Sequence, residues 1–307
     1  MIGALDIGGT KIAAGAVDEN GQVLASTTCP TNPATGLDDA VQRMVNMLAQ
    51  TAHQAGGEIS GIGIGCTGPV FPEIGTIGNV EFMPGWEGAN LVQILSARMG
   101  VSVAIENDAD AAALGEWAWG AGKGTQHFLL VTVGTGIGAG LVLDGQLYRG
   151  VSSAHPEMGH HVIDPTGPLC FCGAHGCWES LASGPAMERW AQAQYPRDIA
   201  LSARQICELA EQGEPQALTV VQRTARYFAL GLANLVTLYL PECIALGGGL
   251  MQAYALFKHE IENTIRTNCG LVPHEKVRII PAALGAQSGL VGAAYVWLSR
   301  YASSRYI

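Results

Sequence analysis

An α/β protein made of two related domains is what this sequence predicts, and two observations predict it. The stretch Gly9-Thr10-Lys11-Ile12-Ala13-Ala14-Gly15-Ala16-Val17 lies without gaps on Gly134-Thr135-Gly136-Ile137-Gly138-Ala139-Gly140-Leu141-Val142, with six of nine positions identical. After a one-residue slip, Gly21-Gln22-Val23 answers Gly145-Gln146-Leu147. Self-similarity spaced this widely is no solenoid repeat and reads as a duplicated domain. The second observation is that strand-like and helix-like segments alternate along the chain, the pattern of an α/β class.

Each copy of the repeat reads as a strand, a tight Gly-Thr turn and a second strand, followed by a turn at Glu19-Asn20-Gly21 or Leu143-Asp144-Gly145. Apolar residues at helical spacing predict helices over 38–55, 87–99 and 108–120, with strands over 59–65 and 101–106 between them. In the second half the same reasoning gives helices over 185–194, 202–212, 215–239 and 254–267, strands over 243–246 and 277–280, and a last helix from 288.

With 307 residues, 48% of them hydrophobic, the chain can bury a substantial core, and length suggests two domains or one large one. A net charge of −10 argues against constitutive nucleic-acid binding, which needs a basic face, and favours a small-molecule ligand. No basic, export-type segment precedes the first strand, so a cytoplasmic protein is expected. Two uncharged stretches, 124–143 and 279–299, are interrupted by glycines and by Pro281 and Gln287, and read as strands, turns and a core helix rather than membrane spans. Of eight cysteines, Cys29, Cys66, Cys207, Cys243 and Cys269 are scattered and are expected as reduced thiols.

Chemistry concentrates in four places. Asp6-Ile7-Gly8-Gly9-Thr10-Lys11 sets two glycines and a hydroxyl after a strand, where backbone N–H groups and Thr10 can donate to a phosphate and Asp6 can hold Mg²⁺ through water. Gly134-Thr135-Gly136-Ile137-Gly138-Ala139 satisfies a dinucleotide pattern, yet the chain runs on as a strand instead of opening a helix, so a second phosphate turn is the better reading. Gly247-Gly248-Gly249 follows a strand and precedes a helix, a place for a nucleoside. Finally, Cys170, Cys172 and Cys177 supply three thiolates in a compact loop. Zinc wants a fourth ligand, with His155, His160, His161 and His175 as candidates. His175 would have to fold back inside the loop, whereas His160 can close the site from outside and is preferred; four protein ligands make such a zinc structural.

Together with Glu106-Asn107-Asp108, Glu157-Met158-Gly159-His160, Trp178-Glu179 and the glycine clusters, these motifs resemble, from end to end, the ROK family of sugar kinases and sugar-responsive repressors in the actin and hexokinase-like superfamily. The resemblance implies two actin-like (ribonuclease H-like) domains with a cleft between them, a small one over 1–118 and a larger one over 119–287 with the zinc loop and nucleotide site, the helix of about 288–307 packing back on the first. It implies ATP and Mg²⁺, with Asp6, Gly8, Gly9, Thr10, Lys11, Gly134, Thr135, Gly136, Gly247, Gly248 and Gly249 at the nucleotide. Asp108 is the implied base, and Gly68, Asn79, Asn107, Asp108, Glu157, His160 and Glu179 are the implied sugar contacts, His160 turning its other ring nitrogen to zinc. Family members are often dimers or tetramers.

Glucose is the expected substrate, with N-acetylmannosamine, N-acetylglucosamine, fructose and mannose as alternatives. A sugar-sensing repressor would expect an N-terminal helix-turn-helix, and here a strand begins at Ile2. Three departures from the family pattern touch the sugar pocket: His155-Pro156 replaces Ala-Gly, Cys66-Thr67-Gly68-Pro69 replaces a Pro-Gly-Pro pattern, and Phe82 stands where an Asn is common, with Asn79 as a substitute.

Overall fold

A computed structural model describes residues 1–79, 83–196 and 200–302. The first half runs β1 (Ile2–Ile7), β2 (Lys11–Val17), β3 (Val23–Pro30), α1 (Leu37–Ala55), β4 (Gly61–Cys66), a small hairpin β5 (Val70–Phe71) and β6 (Thr76–Ile77), α2 (Leu91–Met99), β7 (Ser102–Asn107) and α3 (Asp108–Trp119). The second continues with β8 (Phe128–Val133), β9 (Ile137–Leu143), β10 (Gln146–Leu147), α4 (Trp178–Ala182), α5 (Gly184–Gln192), α6 (Ala203–Glu211), α7 (Pro215–Tyr239), β11 (Cys243–Gly247), α8 (Tyr254–Asn268), β12 (Arg278–Pro281) and α9 (Ser288–Tyr301).

The two five-stranded sheets repeat one another. The first has the order β3-β2-β1-β4-β7 and the second β10-β9-β8-β11-β12. In the first, β1 pairs antiparallel with β2 and parallel with β4, which pairs parallel with β7. In the second, β8, β11 and β12 run parallel and β9 pairs antiparallel with β10. The repeated nonapeptide thus covers the same turn and second strand in each sheet.

The described residues form two compact units. Of these residues, one takes those within 1–124, 140–156 and 283–302, and the other those within 125–139 and 157–282. In the first, alternation along β1 sends Leu5 and Ile7 to one face, with Met44 and Leu48 of α1, and Ile2 and Ala4 to the other, with Leu290 and Ala294 of α9. Strand β4 alternates Gly with Ile or Cys for the same reason. A Cβ at Gly63 would fall inside contact of the Ala293 carbonyl and one at Gly61 inside the Trp297 ring, so α9 lies directly on the strand only because these residues lack one. The turn ahead of α9 is tied to α3 by the fully buried Glu116. Its carboxylate accepts from the N–H groups of Ala121 (2.9 Å), Ala283 (3.0 Å) and Leu284 (2.7 Å).

In the second unit the core centres on α7, where Phe228 stacks on Trp178 at 5.4 Å and meets Phe257 edge-on at 6.3 Å. Among the described residues, no helix is long and apolar enough to cross a membrane, and the stretches 124–143 and 279–299 hold the β8–β9 turn and the β12–α9 turn.

Candidate functional site

Parallel strands end together, and the carboxyl ends are where open α/β sheets present ligands. In the first unit Ile7, Cys66 and Asn107 are in register across β1, β4 and β7, so the Gly8-Gly9-Thr10 turn, the Thr67-Gly68 turn and Asp108 leave the sheet at one edge. Asn107 is the N-cap of α3: its side-chain oxygen accepts from Ala109 N–H (2.9 Å) and Asp110 N–H (3.2 Å), while its Nδ2 donates to the Gly68 carbonyl at 3.3 Å. That assignment gives the N-cap to Asn107 and sets Asp108, half-buried, at the first position of the helix, where its Oδ1 accepts from the neighbouring Ala109 N–H at 2.9 Å.

Burial first, then the Asp108 carboxylate, raises the Asp6 carboxyl to about 6, against a smaller lowering by the Lys11 ammonium. Burial, then Asp108 and Asp6, pushes the Cys66 thiol up, so Cys66 stays a neutral neighbour of the two acids. A buried carboxyl whose ionisation is opposed by a neighbouring carboxylate, beside a glycine turn, fits a divalent cation with oxygen ligands. Because the folded Asp6 binds its proton more tightly than the unfolded chain does, its contribution to stability is full below about pH 4 and is lost as pH rises through about 6. Asp6→Asn, with no nucleotide or cation present, is therefore expected to flatten the stability profile between pH 4 and 7, removing a decline of up to about 3 kcal/mol; urea unfolding at pH 4, 5, 6 and 7 measures it.

In the second unit the glycine turn between β8 and β9 closes with Gly134 N–H on the Gly136 carbonyl at 2.9 Å, and the Gly134 carbonyl accepts from Gly184 N–H at the start of α5, at 2.9 Å. Glu179, in the first turn of α4, accepts from Ile137 N–H at 2.8 Å. Gly247 lies beside Thr132 in the parallel β8–β11 pair, and Gly248 (φ 87°) backs onto the Val133 backbone so closely that no side chain fits. Two glycine turns therefore leave adjacent strand ends here too. Gly159 presses on the Ile137 carbonyl, which seats the short turn from Glu157, exposed, to His160; the Glu157 carbonyl accepts from His160 N–H at 3.0 Å.

His160, Cys170, Cys172 and Cys177 bring their ligand atoms within 4.8 Å of one another. His160 Nδ1 is 3.5 Å from Cys170 Sγ, and the Cys172 and Cys177 sulfurs are 3.4 Å apart. Tetrahedral zinc with bonds of about 2.0–2.3 Å sets its ligands roughly 3.5–4 Å apart, so this donor set fits the metal. The other three histidines are engaged elsewhere: His175 Nδ1 with the Gly167 carbonyl (3.2 Å), His161 Nδ1 with the Met158 carbonyl, and His155 with Asp110. The Ala174 N–H holds the exposed Cys172 thiol below its ordinary range, whereas burial, then Cys172 and Cys170, pushes Cys177 up to about 12. Cys177 is also the N-cap of α4, which joins the cluster directly to Glu179.

A sequence model of the ROK family matches residues 2–300. The chain belongs to the ROK family. This ROK protein is 38% identical over 310 residues to a glucokinase of Streptomyces coelicolor, with 94% of this chain and 95% of that one aligned. Among solved structures, the ROK hexokinase of Thermus thermophilus superposes with a TM-score of 0.83 at 34% identity, covering 98% of this chain and 99% of that one. A ROK family glucokinase from Streptomyces griseus in complex with glucose and AMPPNP gives 0.83 at 33% identity, covering 96% and 98%. The fold is the actin-like α/β fold with two domains.

An ion pair and a histidine–carboxylate contact near the ROK motifs were not evident from sequence. Arg149 pairs with the buried Glu106, and His155 Nδ1 lies 2.8 Å from the Asp110 carboxylate, buried on α3 two residues beyond Asp108. Only the acid within the apolar strand β7 was a visible signal. Asn79 is exposed, and Phe82 lies outside the described residues.

Proposed function

We propose that this ROK protein phosphorylates glucose at the expense of ATP, giving glucose 6-phosphate and ADP. The observation that carries the reading is the half-buried Asp108 carboxylate, next to the N-cap Asn107, at the strand edge where the Gly8–Thr10 turn also leaves the sheet. The 38% identity to a glucokinase over nearly the whole chain supports the choice of sugar.

In this mechanism Asp108 takes the proton of the sugar's primary hydroxyl as that oxygen attacks the γ-phosphorus; the bond to the β,γ-bridging oxygen breaks and ADP leaves with the electron pair. The N–H groups of the glycine turns at 8–10 and 134–136 bind phosphate oxygens, and Gly247–Gly249 receives the nucleoside. Asp6 would hold Mg²⁺, which would supply charge neutralisation on the phosphates. Asn107, Gly68, Asn79, Glu157, His160 and Glu179 are the proposed sugar contacts. His160, Cys170, Cys172 and Cys177 would hold a zinc ion with four protein ligands, and such an ion would fasten the segment that carries His160 and Glu179. Assembly as a dimer or tetramer in the cytoplasm belongs to the same proposal and rests on the family resemblance.

A coupled ADP-release assay with ATP and a panel of glucose, mannose, fructose, N-acetylglucosamine and N-acetylmannosamine tests it. Glucose is expected to lead in kcat/KM by about tenfold or more, the discrimination that one buried polar contact affords. An N-acyl sugar in first place would overturn the choice of substrate, and no ADP with any sugar would overturn the reaction.

A further inference from the structure

We infer that Thr31, held in place by Arg43, is the positioning residue that orients the first glycine turn for nucleotide binding; this rests on the role given above to Gly8–Thr10. Thr31 follows β3, far from that turn in sequence, and is fully buried. Its hydroxyl donates to the Gly8 carbonyl at 2.6 Å, and its N–H donates to the Thr10 carbonyl at 3.0 Å. One residue thus takes two carbonyls of a three-residue turn.

The consequence follows from the peptide group. In a trans peptide the N–H points opposite to the C=O it shares a plane with. Tying the Gly8 carbonyl back to Thr31 turns the Gly9 N–H to the other side of the turn, and tying the Thr10 carbonyl does the same for the Lys11 N–H. A phosphate is attracted by N–H dipoles and repelled by carbonyl oxygens. Two adjacent glycines would otherwise let these planes rotate, so an external clamp determines which face of the turn an anion meets.

Thr31 is itself clamped. Arg43 of α1 donates from Nη2 to the Thr31 carbonyl (2.7 Å) and from Nη1 to the Pro30 carbonyl (2.6 Å). Its Nε donates to Asp39 at 2.9 Å, and Asp39 in turn accepts from the Thr35 hydroxyl at 2.6 Å. A planar guanidinium fixed at three points has no freedom to follow a shift of Thr31, and lysine could not reproduce the fork. The chain of contacts runs from the first turn of α1 to the glycine turn, wholly inside the first unit.

The test compares the wild-type protein with Thr31→Val, which keeps shape and backbone N–H but removes the hydroxyl, with Thr31→Ser, which keeps the hydroxyl, and with Arg43→Met. AMPPNP binding with Mg²⁺ by calorimetry and the separate KM values for ATP and sugar are the readouts. Thr31→Val is expected to weaken AMPPNP and raise the KM for ATP about 3- to 10-fold, the weight of one hydrogen bond, with the sugar KM at saturating ATP within about twofold. Thr31→Ser should restore both, and Arg43→Met should move them in the same direction. Unchanged nucleotide affinity in Thr31→Val, an equal loss toward sugar and nucleotide, or failure of Thr31→Ser to restore binding overturns the inference. Should Thr31→Val not fold, Arg43→Met decides by the same readouts. A wild-type protein that binds AMPPNP but phosphorylates no sugar overturns the proposed reaction, while the Thr31→Val affinity still decides the positioning role; one that binds no nucleotide overturns both.

Discussion

Asp108→Asn is expected to lower kcat by about 10²- to 10⁴-fold, the usual weight of a general base, and to leave the KM for sugar and the thermal midpoint close to wild type. The argument for so clean a separation is local. Capping of α3 belongs to Asn107, whose side-chain oxygen already takes two helix N–H groups, so the substitution removes no cap. The Asp108 Oδ1 accepts from Ala109 N–H, a bond that the amide oxygen of Asn can keep. What is lost is the lone pair that takes the sugar proton and one negative charge. That charge has a second readout, because Asp108 is the next cause after burial of the raised Asp6 carboxyl. In the variant, Asp6 should titrate closer to its ordinary value of 3.8, which an NMR titration of its side chain detects. Retention of wild-type kcat would remove Asp108 from the chemistry; a collapsed midpoint would show that its role is structural.

How much of this was legible beforehand depends on sequence separation. The repeated nonapeptide exposed the duplication because two strands and the turn between them are contiguous, and the matching sheet orders are its three-dimensional form. The cysteine cluster was visible for the same reason, since three of its four donors fall within eight residues. Helix α2, expected from 87, begins at Leu91: Gly88 has φ 75° and Asn90 caps the helix by accepting from Gln93 N–H. The short α4 was not foreseen, since five residues give no periodicity to read. The partners of Thr31, Arg149 and His155 were not readable either, because each lies 23 to 45 residues away along the chain. Sequence patterns report which residues share an element; which buried carbonyl or carboxylate a distant side chain will satisfy is settled only when the sheet brings the elements together.

The exposed member of the cysteine cluster provides the sharpest test of the metal. An exposed side chain touching nothing essential can be replaced with little consequence, and Cys172 is exposed whereas Cys170 and Cys177 are buried. If the four donors hold zinc, Cys172→Ser removes a quarter of the coordination shell and with it most of the metal affinity, so the loop that carries His160 and leads through Cys177 into α4 loses its fastener. The expected result is about one zinc per wild-type chain and nearly none in the variant, a thermal midpoint lower by roughly 10 °C, and sugar phosphorylation reduced at least about tenfold. A strong chelator should bring the wild-type midpoint down to that of Cys172→Ser and leave the variant unmoved. The chelated wild type and the variant then differ only by one thiol, so equal midpoints assign the loss to the metal and not to the side chain. Elemental analysis finding no zinc in the wild-type protein, with Cys172→Ser as stable and as active as its parent, would reduce the cluster to three thiols and a histidine that share a loop.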